Sequence, residues 1–161
     1  MMIRPVSPDD HAALWAVLEP VIRAGETFAL PRDMTPEAAL AFWMAPGTDV
    51  FVTEDAAGAI VGSYFVRANQ RGGGAHVANA GYVTDVAATG RGIARAMCAH
   101  SIEHARGRGF RAMQYNLVVS TNERAVRLWQ AMGFSIVGRL PGAFAHPTHG
   151  DVDAFVMYLT L

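Results

Sequence analysis

The segment Thr89-Gly90-Arg91-Gly92-Ile93-Ala94 has the clearest capacity for chemistry in this sequence. Two glycines one residue apart, at the start of an apolar repeat with helical spacing, let several backbone N–H groups converge where the helix dipole is positive. Arg91 and Arg95 stand one turn apart at the same end and add charge-assisted hydrogen bonds. The arrangement predicts a phosphate or diphosphate cradle, and the same spacing also fits a plain tight connection between a strand and a helix. Neither GxGxxG nor GxxxxGK[ST] is present, which excludes the usual dinucleotide and Walker sites. All thirteen basic residues are arginine, so Schiff-base chemistry on lysine is excluded as well.

Two further clusters read as structure. His100-Ser101-Ile102-Glu103-His104 has the H-x-x-E-H spacing of a metalloprotease, with both histidines on one helix face. That helix already serves the glycine loop, however, and Arg106 and Arg108 crowd its end, so no metal is expected. Cys98 has no His-Asp arrangement beside it and is expected in the core. As the lone cysteine it rules out an intramolecular disulfide, which fits a reducing cytoplasm.

The elements that position these residues follow from periodicity and punctuation. Ile3 to Val6 reads as a strand. A helix from Ser7 or Pro8 to a stop at Gly25 is bent or divided by Pro20, and a second helix starts at Thr35-Pro36-Glu37 and buries Leu40, Phe42 and Trp43. Val50 to Thr53 and Ala59 to Arg67 form a hairpin. After a mobile Arg71-Gly72-Gly73-Gly74 connection, Ala75 to Val86 is a strand that runs straight into the glycine loop and the helix of Ile93, Met97, Cys98, Ile102 and Ala105. Phe110 to Val119 is a strand and Ser120-Thr121-Asn122-Glu123 caps a helix ending at Gly133. Ser135 to Arg139 and Val152 to Leu159 are strands separated by a loop. The order β, α, α, β, β, β, α, β, α, β, β over 161 residues predicts one α/β domain, 1–161, with a mixed, mostly antiparallel sheet covered by helices.

On those residues the sequence resembles a known family. Val86-Ala87-Ala88-Thr89-Gly90-Arg91-Gly92-Ile93-Ala94-Arg95-Ala96-Met97 is similar to the acetyl-CoA pyrophosphate loop of the GNAT N-acetyltransferase superfamily, and the run from Thr121 through Trp129 to Gly133-Phe134 resembles its later asparagine, helix and Gly-Phe segment. The resemblance implies acetyl-CoA as cosubstrate, seated in a splay after the fourth strand. The loop Thr89, Gly90, Arg91, Gly92, Ile93, Ala94, Arg95 then holds the pyrophosphate, although the family usually opens this loop with Gln or Arg where Thr89 stands. Thr84, Asp85 and Val86 bond the pantetheine arm as an added strand would, and Asn122 reaches the same arm.

Trp129 occupies the place where many members carry a tyrosine that protonates the departing thiolate, and an indole cannot serve as that acid. Tyr115, Tyr82, water, or unassisted departure of a thiolate stabilised by local dipoles remain open.

The resemblance also implies catalytic residues: His76 and Asn79 on the strand before the loop, where related enzymes place a Glu or His, and Asn116 facing the acceptor. Ala78 to Val83 with Tyr115 to Asn122 is similar to a subgroup acetylating proline analogues such as azetidine-2-carboxylate. Gly25-Glu26-Thr27-Phe28 resembles the substrate loop of phosphinothricin-type amino-acid acetyltransferases, with Glu26 binding the ammonium or relaying its proton and Phe28 and Trp43 walling the pocket. The function implied is direct N-acetylation of a small amino or imino acid. The alternatives are a catalytically weak acyl-CoA sensor and a protein or peptide N-acetyltransferase.

Charge distribution agrees with an anionic ligand over the middle of the chain. Residues 1–85 carry five Arg against ten Asp or Glu, whereas 86–139 carry eight Arg against Glu103 and Glu123. That stretch has no interleaved aromatic platform and the net charge is -1, so nucleic acid is not an expected partner. Charged residues interrupt every apolar run, so neither a membrane span nor an export signal is expected. Family dimers are common, and the last strands offer a place for a homodimer.

Overall fold

A computed structural model describes residues 1–161. The elements, in chain order, are β1 (Met2–Pro5), α1 (His11–Ala24), α2 (Pro36–Trp43), β2 (Asp49–Glu54), β3 (Ile60–Ala68), β4 (Val77–Thr84), α3 (Ile93–Gly107), β5 (Ala112–Val119), α4 (Glu123–Ala131), β6 (Ser135–His146) and β7 (Gly150–Thr160). Short 3-10 turns lie at Pro8–Asp10, Gly72–Gly74 and Val86–Ala88. The strands form one seven-stranded sheet in the order β1-β2-β3-β4-β5-β7-β6.

Every neighbouring pair is antiparallel except β4 and β5. That parallel pair is in register only at Val77↔Ala112 and Ala78↔Met113, after which the strands diverge. The expected splay is therefore present. Asn79 Nδ2 donates to the Gln114 carbonyl at 3.0 Å at the point of divergence.

Alternation along the strands sends residues to two separate cores. One face of the sheet packs α3 and α4 through Tyr64, Val66, Ala78, Met97, Cys98, Met113 and Trp129. The other packs α1 and α2 through Leu14, Leu18, Ile22, Trp43, Phe65 and Val83. Trp43 is fully buried there, with its indole N–H donating to Ser63 Oγ at 3.0 Å.

Local signals placed most boundaries. Thr35 Oγ1 accepts from Ala38 N at 3.2 Å and caps α2, and Asn122 Oδ1 accepts from Ala125 N at 3.3 Å and caps α4. Gly25 ends α1 in the left-handed conformation.

Three expectations are corrected. Pro20 lies inside α1 without dividing it. The fourth strand stops at Thr84, because Asp85 turns the chain by accepting from Ala87 N at 2.9 Å. The Pro, Gly and His-bearing segment after Arg139 is strand, with β6 and β7 pairing as far as His146↔Gly150; an irregularity between Leu140 and Phe144 absorbs Pro141 and Gly142.

Candidate functional site

Two cavities meet over the diverging strands. The first, about 300 Å³, is bounded by the loop Thr27 to Leu30, by Phe42 and Phe65, and by the facing stretches Asn79 to Tyr82 and Tyr115 to Val119. The second, about 500 Å³, runs from Tyr82 to Thr84 over the glycine turn to α4. Tyr82, Asn122, Ala125, Trp129 and Thr27 border both, so a molecule in either can reach one in the other.

The second cavity is built from the start of α3. Gly90 and Gly92 hold φ of 85° and 78°, the left-handed region, and a side-chain carbon added at either would point into open space. The turn therefore leaves an unobstructed floor. No side chain caps α3, and its first internal bond is donated by Ala96 N to the Gly92 carbonyl at 3.0 Å. The N–H groups just before Ala96 are thus left to a ligand. Arg95 stands beside them, its guanidinium resting on Met132 Sδ at 3.5 Å, and Arg124 approaches from α4. Short of the turn, β4 has no strand partner on its β5 side beyond Ala78. Uncapped amides, two arginines and a free strand edge fit a diphosphate carrying an amide-bearing arm.

Thr84, Val86, Thr89, Gly90, Gly92, Ile93, Ala94, Arg95, Asn122 and Trp129 all line this cavity. Asp85 and Arg91 do not. The Asp85 carboxylate is spent on the turn, and Arg91 projects from the exposed loop. Arg124, the cation on α4 that borders the cavity, was legible only as a motif residue.

In the first cavity, Asn79 and Asn116 are both at the wall. Asn116 donates to Asn69 Oδ1 at 2.7 Å and accepts from Gln114 Nε2 at 2.9 Å, which orients its amide. Its position owes much to an extra residue in β5. The register runs Tyr115↔Met157 and then Val118↔Phe155, so Asn116 and Leu117 form a bulge aimed at the cavity.

His76 and Glu26 line neither cavity. His76 precedes β4, where its carbonyl accepts from Arg111 N at 2.8 Å, and Glu26 is exposed while its neighbours Thr27 and Phe28 turn inward. Phe28 is a wall, but Trp43 lies behind it in the core, edge-on at 5.7 Å between centroids.

The two tyrosines considered as acids have their hydroxyls below the cavity floor. Tyr82 Oη lies 2.7 Å from Ser101 Oγ and 2.8 Å from Tyr115 Oη, and Tyr115 Oη is 3.7 Å from Cys98 Sγ. Burial pushes both phenols well above their ordinary value and the Cys98 thiol up to about 11. Trp129 covers the pair, with ring centroids 4.9 Å from Tyr82 and 5.3 Å from Tyr115. His100 bonds the Tyr64 hydroxyl at 2.5 Å and His104 bonds Asp49 at 2.8 Å, so the two histidines serve different partners, and no group of metal-ligating side chains is found.

The sequence profile of the acetyltransferase (GNAT) family matches residues 15–134, and the chain belongs to that family. It is similar to a GCN5-related N-acetyltransferase from Kribbella flavida, 42% identical, with a TM-score of 0.95 over 99% of this chain and 97% of the other. It also shares its fold with a phosphinothricin acetyltransferase from Sinorhizobium meliloti solved in complex with acetyl-CoA, 19% identical, TM-score 0.87, covering 99% and 88% of the two chains. Among curated proteins it is 29% identical over 98 residues to the N-acetyltransferase aca1 of Schizosaccharomyces pombe; the match takes in 60% of this chain and about half, 47%, of that relative's length. No helix is long and apolar enough to cross a membrane.

Proposed function

We propose that the chain transfers an acetyl group from acetyl-CoA to the amine of a small amino or imino acid, by direct attack within a ternary complex. The observation that carries this reading is the junction of the two cavities at Tyr82, Asn122 and Trp129 above the diverging strands. A diphosphate at the α3 turn and an arm along the free edge of β4 bring a thioester to that junction. The acceptor enters from the other side, between Phe28, Phe65 and Asn116.

The neutral amine nitrogen attacks the thioester carbonyl carbon, the C–S bond breaks, the sulfur leaves as thiolate, and the nitrogen gives its surplus proton to water as the amide forms. A backbone N–H of the unpaired β4 edge is placed to stabilise the developing oxyanion. No Asp, Glu or His lines the acceptor cavity, so the ammonium proton passes to water before attack. No tyrosine hydroxyl reaches the junction either, and the thiolate leaves toward the positive end of α3. The same shortage of acid and base groups, with Trp129 in place, favours a catalytically weak acyl-CoA-binding domain as the second reading.

Calorimetry with acetyl-CoA, CoA and ATP, paired with a thiol-release assay on pooled amino and imino acids, tests both. Tight acetyl-CoA binding with thiol release is expected. Binding without release from any acceptor would favour the second reading, and no binding would overturn both.

A further inference from the structure

Arg67 is the only charged residue lining the acceptor cavity. It sits on β3, in register with Asn79 of β4, so it shares the cavity's sheet face with Phe65 two residues before it. Its guanidinium carbon lies 4.6 Å from the Phe65 ring centroid and 5.2 Å from that of Phe42. Two aromatic faces thus hold a cation at the cavity wall.

The charge is otherwise unanswered. Three of the thirteen arginines, Arg4, Arg23 and Arg67, are half-buried, and the rest are exposed. Arg4 is paired with Asp10 and Glu54, and Arg23 with Glu19. Arg67 has no carboxylate within ion-pair distance and makes no side-chain hydrogen bond. A guanidinium that is partly desolvated, pinned and unpaired keeps its planar fork of donors for a ligand. Arg67 also borders an outer groove with Asn69, Gln70 and Arg71, which adds a second cation and no anion.

From this geometry we infer that Arg67 is the specificity residue that selects acceptors carrying a carboxylate, taking it in a bidentate hydrogen-bonded pair at the end of the cavity away from the thioester. The inference rests on the acceptor reading above and assigns the group that recognises the acid end of such an acceptor, so that simple amines without a carboxylate are poor acceptors. Asn116, also at the cavity wall and bonded to Asn69, supplies neutral donors and acceptors, so it cannot impose that charge preference.

The test compares acids with their carboxamides. Thiol release is measured for L-proline, azetidine-2-carboxylate, L-methionine and L-alanine beside the four matching carboxamides, in the unaltered protein and in Arg67→Gln and Arg67→Lys. In parallel, the Arg67 Nε–H NMR signal, assigned by its loss in Arg67→Gln, is followed in the CoA complex during titration with the same eight compounds.

With kcat/KM referred to the free-amine form of each compound, the expected result is a preference of at least about 30-fold for the best acid over its amide. That preference falls to within about threefold in Arg67→Gln and is partly restored in Arg67→Lys, while acetyl-CoA affinity is unchanged. Acids shift the Nε–H signal and amides do not. Release without acid preference, or a preference that survives Arg67→Gln, would overturn the role of Arg67 and leave the acetyltransferase reading standing. Signal shifts by acids with no thiol release from any compound would support the carboxylate site while overturning the small-acceptor reading.

Discussion

Gly81 and Phe65 lie opposite each other on β4 and β3, and a side-chain carbon on Gly81 would stand 2.5 Å from Phe65 Cε1 and 2.7 Å from Cζ. The Phe65 ring therefore lies flat across the bare backbone of β4, where it forms the floor of the acceptor cavity and one of the surfaces beneath Arg67. Gly81→Ala must lift that ring by more than thermal slack allows. The ring is held from behind by Trp43 at 4.9 Å and from the side by Phe42 at 6.2 Å, so its way out is into the cavity. The expected outcome is an acceptor KM raised about tenfold and a stability loss of about 1–3 kcal/mol. The acetyl-CoA dissociation constant, read by calorimetry, should stay within about twofold.

Gly92→Glu probes the other cavity. The substitution puts a carboxylate where an anionic ligand is expected and adds a side chain at a φ of 78°. Acetyl-CoA affinity should fall by at least about 100-fold by calorimetry. Far-UV circular dichroism should show the fold retained, since nothing in the protein lies within 4 Å of the added carbon. Normal affinity in a folded variant would move the diphosphate site elsewhere.

Trp129 should act by shape. It covers the Tyr82 and Tyr115 rings and borders both cavities, so Trp129→Phe keeps most of the cover. Its kcat should remain within about threefold, because no proton transfer is removed. Trp129→Ala opens the floor between the two cavities and should cost about 3–5 kcal/mol of stability, read by urea unfolding. Loss of turnover in Trp129→Phe without loss of stability would show that the indole N–H takes part in the reaction.

The pH dependence follows from what lines the acceptor cavity. With no carboxylate or imidazole there, kcat/KM should rise about tenfold per pH unit until the acceptor amine is itself deprotonated. Tyr82 and Tyr115 add no limb in this range, because burial raises both and keeps them protonated. His76→Ala and Glu26→Gln should leave the profile in place and kcat/KM within about threefold. An inflection that stays fixed when the acceptor is changed, and that vanishes in either variant, would make that residue the base.

Asp10 sets an acid limit on stability. Its carboxylate accepts from Arg4 at 2.7 and 2.8 Å and from Ser7 N at 2.7 Å, and these bonds hold it well below the usual carboxylate range against the cost of burial. A lowered folded value means its contribution is complete above the unfolded value of about 3.9 and is lost as pH falls further, toward the folded one. Asp10→Asn should lower Tm by about 2–4 °C at pH 7, and the difference should shrink below about pH 4. A constant difference across that range would mean that the carboxylate's charge is not what stabilises the β1–α1 corner.

The sequence by itself determined the order and kind of elements and the location of the α3 turn. Those signals are local: glycines at Gly90 and Gly92, caps at Thr35 and Asn122, and periods of two and 3.6 residues written into contiguous segments. It also determined that the chain lacks lysine chemistry, and the family resemblance drawn from it sets Trp129 where many members carry a tyrosine. What only the tertiary structure decided is which polar residues line the first cavity. The bulge that aims Asn116 is a mismatch between β5 and β7, forty residues apart, and no pattern within either strand announces it. His76 and Glu26 fall outside the cavities because the strand begins one residue after His76 and the loop turns at Thr27. Arg67 reads in the sequence as the polar end of a hairpin strand. Its place in the cavity depends on Phe42 from α2 and Phe65 from its own strand closing around it, with no acid brought near enough to neutralise it. Burial, pairing and isolation of a charge are properties of the folded surroundings, and a linear sequence specifies them only through the packing it produces.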